Sequence, residues 1–313
     1  MQTKVALKKA KMGTILGKRI LKYREMYLLF LIPFVYMIVF KYVPILGNVL
    51  AFRKYSASAP LFGTRWMGLT YFKMLFSDVN FYQRFLNTVV LSFESLVIGF
   101  PVPIIFALMV NEMETEKMKK FVQTVSYLPH FISIVVVVGF INQLLSPNMG
   151  VVNVLRAHFG FEPVNYIAKP EWFRTIYIVS SIWQDMGWNA IIYIAALSGV
   201  DAQLYEAAMI DGAGRWKQTI HVTIPGIMPT IVITLIMSVG NMLAIGYEKV
   251  LLLMNSLNKE TADIISTYVY RLGIVDSNYS YSTAVGLFNA VVGLILVCSA
   301  NYVCGKILET SLW

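Results

Sequence analysis

The sequence predicts an all-α integral membrane protein with six transmembrane helices, and three observations carry that prediction. Of its 313 residues, 57% are hydrophobic and only 14% are charged, against about 25% charged in a soluble domain. Mean hydropathy is +0.63. Several apolar stretches also reach the roughly 20 residues that a helix needs to cross a bilayer core.

The expected spans are 26–50, 86–110, 121–145, 175–198, 228–253 and 281–304. Ahead of the first lies a basic segment, residues 1–25, with eight Lys/Arg: Lys4, Lys8, Lys9, Lys11, Lys18, Arg19, Lys22 and Arg24. Such a cluster favours the cytoplasmic side and anionic lipid headgroups. With six spans, the N-terminus and the 305–313 tail are then both expected inside. The first span outruns the roughly 7–15 residues of a signal-peptide core, and no small-residue cleavage site follows it. The net charge of +9 is concentrated at this end, which argues for lipid rather than nucleic acid. Cys298 and Cys304 lie six apart in the last span, about 240° around a helix, so neither a disulfide nor a metal pair is expected.

The outer loops, 51–85, 146–174 and 254–280, are rich in Tyr, Trp and Phe, which suits an interface. The inner loops are 111–120 and 199–227. In the second, Asp201 can cap a helix start by accepting from free backbone N–H groups. Ala202 to Asp211 then reads as helix. Gly212-Ala213-Gly214 breaks it, since glycine tolerates a left-handed backbone. Arg215 to His221 reads as a second short turn, and Pro225 as the start of the fifth span.

The spacing within this loop carries a resemblance. Glu206-Ala207-Ala208, then Gly212 six residues after the glutamate, then Val222-x-Ile224-Pro225, resembles the E-A-A-x3-G-x9-I-x-L-P signature of permeases from binding-protein-dependent ABC importers. Val222 and Ile224 stand where that pattern has Ile and Leu. Trp66-x-Gly68-Leu69-x-x-Phe72, Leu75-Phe76-x-Asp78, Leu86-Asn87-Thr88 and the ending Thr310-Ser-Leu-Trp313 are similar to its sugar and oligosaccharide branch.

The resemblance implies a type I importer permease fold in the bacterial inner membrane. It implies one half of a heterodimeric pore formed with a second, homologous permease. Two ATPase subunits would drive it, and an extracellular solute-binding lipoprotein would deliver a sugar. Glu206, Ala207, Ala208, Asp211, Gly212 and Arg215, with Pro225 closing the motif, would form the ATPase-coupling contact. No cofactor would sit on this chain; ATP and Mg²⁺ would belong to the ATPase. The protein would therefore not be an enzyme.

Ionisable residues inside a membrane are functional candidates by default. Three acids fall within the expected spans: Glu94, Asp185 and Glu248. Polar neighbours are Asn142, Gln143, Gln184, Asn189 and Asn241, and Trp183, Trp188, Tyr193 and Tyr247 offer stacking faces. Together they suit a hydroxyl-rich ligand. The plainer reading of each acid is a bond to a neighbouring helix, and Lys249 beside Glu248 offers such a partner.

Other machinery is missing. Gly13-Thr-Ile-Leu-Gly17-Lys18 has three residues between its glycines where a P-loop needs four, and lacks Ser/Thr after the lysine. Gly212-Ala-Gly214 has Lys217 where a dinucleotide fingerprint needs its third glycine. His130, His158 and His221 lack ligand spacing, and His130 is expected to pack or bond between helices. Two alternatives stay open. One is the same importer carrying a non-sugar solute. The other is a six-span channel or secondary transporter, although the sequence shows no filter, no broken half-helices and no inverted repeats.

Overall fold

The computed structural model describes residues 22–56, 58, 60, 62–308 and 310–312. Most of the basic N-terminal cluster, from Lys4 to Arg19, and Trp313 lie outside it. Among the described residues all regular structure is helical, and an isolated antiparallel bridge joins Arg53 to Trp66. In chain order the helices are α1 (Arg24–Phe52), α2 (Thr70–Ser77), α3 (Val79–Asn111), α4 (Glu116–Phe131) and α5 (Ile134–Leu144). These are followed by α6 (Val151–His158), α7 (Pro170–Leu197), α8 (Ala202–Ile210) and α9 (Arg215–Gly240). The chain ends with α10 (Tyr247–Leu253), α11 (Lys259–Ala262), α12 (Ile265–Tyr270) and α13 (Tyr279–Leu308).

Four of these helices, α1, α3, α9 and α13, are long and apolar enough to cross a membrane, and the bent pair α4–α5 would make a fifth. Helix α7 has 28 residues and reaches about 42 Å at 1.5 Å per residue, but a polar stripe lowers its hydropathy.

Two expected spans are built differently. Residues 121–145 are not one helix: α4 and α5 meet at 97°. Pro129 sits in a tight turn, Leu128–Phe131, and the Ser133 side chain caps α5 by accepting from the Val136 amide, so a new helix starts there. The bend frees the Ile132 carbonyl, which accepts from Gln184 at 3.1 Å. The expectation of unbroken helices fails at this point.

Residues 228–253 are not one helix either. Helix α9 begins at Arg215, so the short turn expected at 215–221 is its first stretch, and Pro225 lies well inside it. It ends at Gly240, where a Cβ would collide with the Val297 side chain of α13. A 3₁₀ turn, Met242–Ala244, leads to α10. Its free carbonyls are taken up: Ser92 donates to Met242 O, and Asn289 to Leu243 O at 3.1 Å. Buried carbonyls need such partners.

Three of the prolines within the long helices are absorbed in one recurring way. The wide π-helical turns Ile38–Tyr42, Ser95–Gly99 and Thr219–Thr223 each end two residues before a proline: Pro44, Pro101 and Pro225. Proline has no N–H to donate and crowds the carbonyl one turn back. Widening that turn removes the crowding without ending the helix.

Helix α7 is the centre of the packing. Phe173, Tyr177 and Ile178 join Leu91 of α3, Val137 of α5 and Val250 of α10 in one core cluster. Ala190, Tyr193 and Leu197 join Ala107 of α3 and Ile227 of α9 in another. Gly187 lets α7 cross α4 closely, since a Cβ there would strike the Ser126 carbonyl. Helix α1, by contrast, buries nothing before Ala51.

Candidate functional site: a central cavity, an exposed loop and an outer rim

Three helices, α3, α7 and α9, enclose an open cavity of about 1030 Å³. On α7 its lining is one helical stripe: Tyr177, Ser181, Asp185, Trp188, Ile192 and Ala195, at steps of three or four, which share a face. On α9 the stripe is Thr234 and Ser238, continued by Asn241 just past its end, and on α3 it includes Ser92, Ser95 and Gly99. From Tyr177 to Ala195 the lining extends about 27 Å along the α7 axis, close to the roughly 30 Å of a bilayer core.

Of the residues expected along such a path, Asp185, Asn189, Asn241, Trp188 and Tyr193 line this cavity. The Asp185 carboxylate accepts from His130 Nδ1 at 2.9 Å, and the His130 ring stacks flat on Trp188 at 4.5 Å. His130 therefore bonds between helices, and no cluster of three or more metal-ligating side chains exists among the described residues. Tyr193 bonds Thr234 across the cavity at 2.9 Å.

The other expected path residues lie elsewhere. Glu94 pairs with Arg174 at 3.4 Å, away from the cavity lining. Gln184 is buried on the far face of α7, where it holds the α4–α5 bend. Trp183, Asn142 and Gln143 are exposed on other faces. Tyr247 packs on Tyr270 at 5.9 Å beside a separate depression of about 240 Å³. Glu248 is exposed and does not pair with Lys249.

Lys249 is a functional candidate that the sequence pattern of intramembrane acids does not reveal. It is 5% exposed. Its Nζ donates to Ser181 Oγ at 2.8 Å and lies 5.2 Å from the centre of the Tyr177 ring. The signal that could have found it is a basic residue inside a long apolar run, which is as costly to bury as an acid.

The charged loop forms a protruding helix–turn–helix. Asp201 caps α8 by accepting from Gln203 N at 3.0 Å. Gly212 adopts φ +76°, the left-handed conformation that ends α8, and the space a Cβ would occupy is open, with nothing within 4 Å. Gln218 ties the turn back to Ala213 O at 2.8 Å, and Tyr205 reaches Thr223 at 3.0 Å. Arg215 pairs with Glu114 of the neighbouring 112–115 loop at 3.0 Å. Glu206, Ala207, Asp211 and Arg215 are exposed and Ala208 is half-buried. Ile210 and Trp216 are 87% and 76% exposed.

At the far end of the bundle, Asp263 is 2% exposed and accepts from Arg84 at 2.9 Å and Arg271 at 2.7 Å. Asn87 donates to Glu260 O and Asp263 O, and Thr88 Oγ1 accepts from the Ile265 amide. Asp78 caps α3 and accepts from Tyr268 at 2.6 Å and Tyr281 at 3.0 Å. Burial pushes the Asp78 carboxyl up, but these phenols and the Asn80 amide together outweigh burial and hold it below the usual carboxylate value. Tyr268 is pushed up to about 12, first by burial and then by its bond to Asp78. The motif residues Asp78, Asn87 and Thr88 thus clamp the 260–281 region onto α3.

Known proteins share this architecture. The profile of the family described as binding-protein-dependent transport system inner membrane component matches residues 74–307. The polygalacturonan/rhamnogalacturonan transport system permease protein YteP of Bacillus subtilis (strain 168) is 45% identical over 309 residues, covering 99% of this chain and 96% of the relative. A chain in the crystal structure of a bacterial alginate ABC transporter, in complex with alginate pentasaccharide-bound periplasmic protein, superposes with a TM-score of 0.86. It is 41% identical, with 94% of this chain and 99% of that chain covered. A second structure, of a bacterial ABC transporter involved in the import of the acidic polysaccharide alginate, gives 0.85 at 42% identity, with 93% and 99% covered. The membrane-length helices and the close superposition over nearly the whole chain agree, and the chain belongs to the family of inner-membrane permease components of binding-protein-dependent ABC importers, a transport subunit rather than an enzyme.

Proposed function

We propose that the chain forms one half of the translocation path of an ATP-driven oligosaccharide importer. Residues 26–304 form the permease domain, and the basic 1–25 segment and the 305–313 tail face the cytoplasm. A second, homologous permease completes the pore, and an extracellular solute-binding lipoprotein delivers the sugar. Two separate ATPase subunits, which carry the ATP and Mg²⁺, grip the loop around Glu206–Arg215; this chain binds no cofactor.

The observation that carries the coupling role is the exposure of Ile210 and Trp216 at the tip of the loop, beside Glu206 and Arg215. Burying a side chain of that size stabilises a contact by about 1.5–3 kcal/mol. Ile210→Glu is therefore expected to weaken co-purification of the ATPase at least about tenfold, while the two permeases still co-purify. Undiminished ATPase recovery would remove this loop from the interface.

The oligosaccharide cargo is supported by the polymers named for the relatives and by the polar, aromatic stripe of the cavity. Asp185 stands near the middle of that stripe. Because hydrogen bonds to charged groups contribute about 1.5–3 kcal/mol, Asp185→Asn is expected to lower uptake about tenfold at an unchanged level of assembled complex. Unaffected uptake, or loss of the complex itself, would take Asp185 out of the path.

A further inference from the structure

We propose that Lys249, held behind Ser181 and Tyr177, is an anion subsite for the carboxylate of a passing uronic-acid residue, so the cargo is an acidic oligosaccharide. This deepens the oligosaccharide-importer reading and rests on it.

The argument starts from a charge without an ion-pair partner. Lys249 is almost fully buried, and an ammonium group withdrawn from water is costly unless paired. Among the described residues, no carboxylate lies within ion-pairing distance of it. Its neighbour Glu248 points elsewhere and is exposed. Of its three N–H donors, one goes to Ser181 and the other two have no acceptor among the described residues. The Tyr177 face offers a cation–π contact at 5.2 Å, which falls short of a counter-ion.

Placement turns this charge toward the cavity. Ser181 and Tyr177 both line it, so the ammonium sits one hydrogen bond behind the wall. A lysine whose only task was solubility or anchoring would extend its stem to the headgroups; this one turns inward. The nearest acid on the stripe, Asp185, is one helical turn from Ser181. It makes no ion pair with the ammonium. Its carboxylate is engaged instead by His130 at 2.9 Å. The wall therefore backs onto a cation with idle donors, while its acid is held by His130, and idle N–H donors favour a carboxylate over a neutral hydroxyl ligand. A carboxylate at Ser181 would supply acceptors for both idle N–H groups, and charge-assisted bonds of this kind are about twice as strong as neutral ones.

The test uses the whole importer, with both permeases, ATPases and binding protein, in proteoliposomes. Two probes are compared: a galacturonate trimer and the same trimer with its carboxyl groups reduced to alcohols. Lys249→Gln is expected to lower the acidic-to-neutral uptake ratio at least about tenfold, and Lys249→Arg to retain most of it. The ratio is independent of how much complex assembles. If Lys249→Gln does not assemble, Ser181→Asp provides the second arm, because a carboxylate there would quench the lysine and lower the same ratio. An unchanged ratio in the variants, or a wild type that takes only the neutral trimer, overturns the subsite and leaves the oligosaccharide reading intact. A wild type that transports neither these trimers nor any other oligosaccharide, while its ATPase still couples, overturns that reading and the subsite with it.

Discussion

Gly212→Val is expected to abolish coupled uptake while Gly212→Asn preserves most of it. At φ +76° a β-branched side chain meets the carbonyl that follows it, and a non-glycine residue in this region costs about 1–2 kcal/mol or more when branched. Asparagine tolerates the conformation far better. Beyond that turn itself, no atom among the described residues stands within 4 Å of the added Cβ, so the defect would come from the backbone of the turn rather than from a collision with another helix. The expected result for valine is a complex whose ATPase is either lost or no longer stimulated by loaded binding protein, with the permease present at normal level. Normal uptake by the valine variant would show that the reversal between α8 and α9 is not part of the coupling contact.

The second large effect is expected at the outer rim. Asp263→Ala leaves Arg84 and Arg271 facing each other without the carboxylate that both now contact at under 3 Å. Removing one partner of a buried ionic cluster destabilises by about 3–5 kcal/mol. The detergent-purified complex should therefore melt well below wild type. Replacing all three residues with apolar ones of similar size should recover much of the loss, since such replacements are often neutral. A melting temperature within a degree or two of wild type for the alanine variant would mean that water already screens the cluster.

The helix–turn–helix of the charged loop was legible because its determinants are local. A cap at Asp201, a helix of ordinary length and a glycine at the reversal act within a dozen residues of one another. The extent of α9 was not legible, because Pro225 reads as a helix start in sequence, whereas the preceding π-helical turn lets the helix run through it. The bend at Ile132–Ser133 was hidden for a similar reason: the hydropathy of 121–145 is continuous, and only the Pro129 and Ser133 chemistry marks the corner. Within the cavity, Asp185, Asn189 and Asn241 were found because polar side chains in an apolar segment stand out. Glu94 was misplaced because its partner, Arg174, is 80 residues away, and no periodicity reports a pairing between distant helices. Gln184, one residue from Asp185, points to a different face for a purely geometric reason. A step of one residue is about 100° around a helix.

That same angle gives the wide turns ahead of Pro44, Pro101 and Pro225 a consequence for how this chain tolerates insertions and deletions. Each turn holds one residue more than a regular α-helical turn would, so the faces on either side of it are out of phase with a plain helical wheel by about 100°. Losing one residue from Ser95–Gly99 would do more than shorten α3. It would swing the Ser92 stripe away from the cavity while leaving the helix continuous and its hydropathy unchanged. In these three places a length change is a rotation, and a homologue differing by one residue there should be aligned by helix face before its residues are compared.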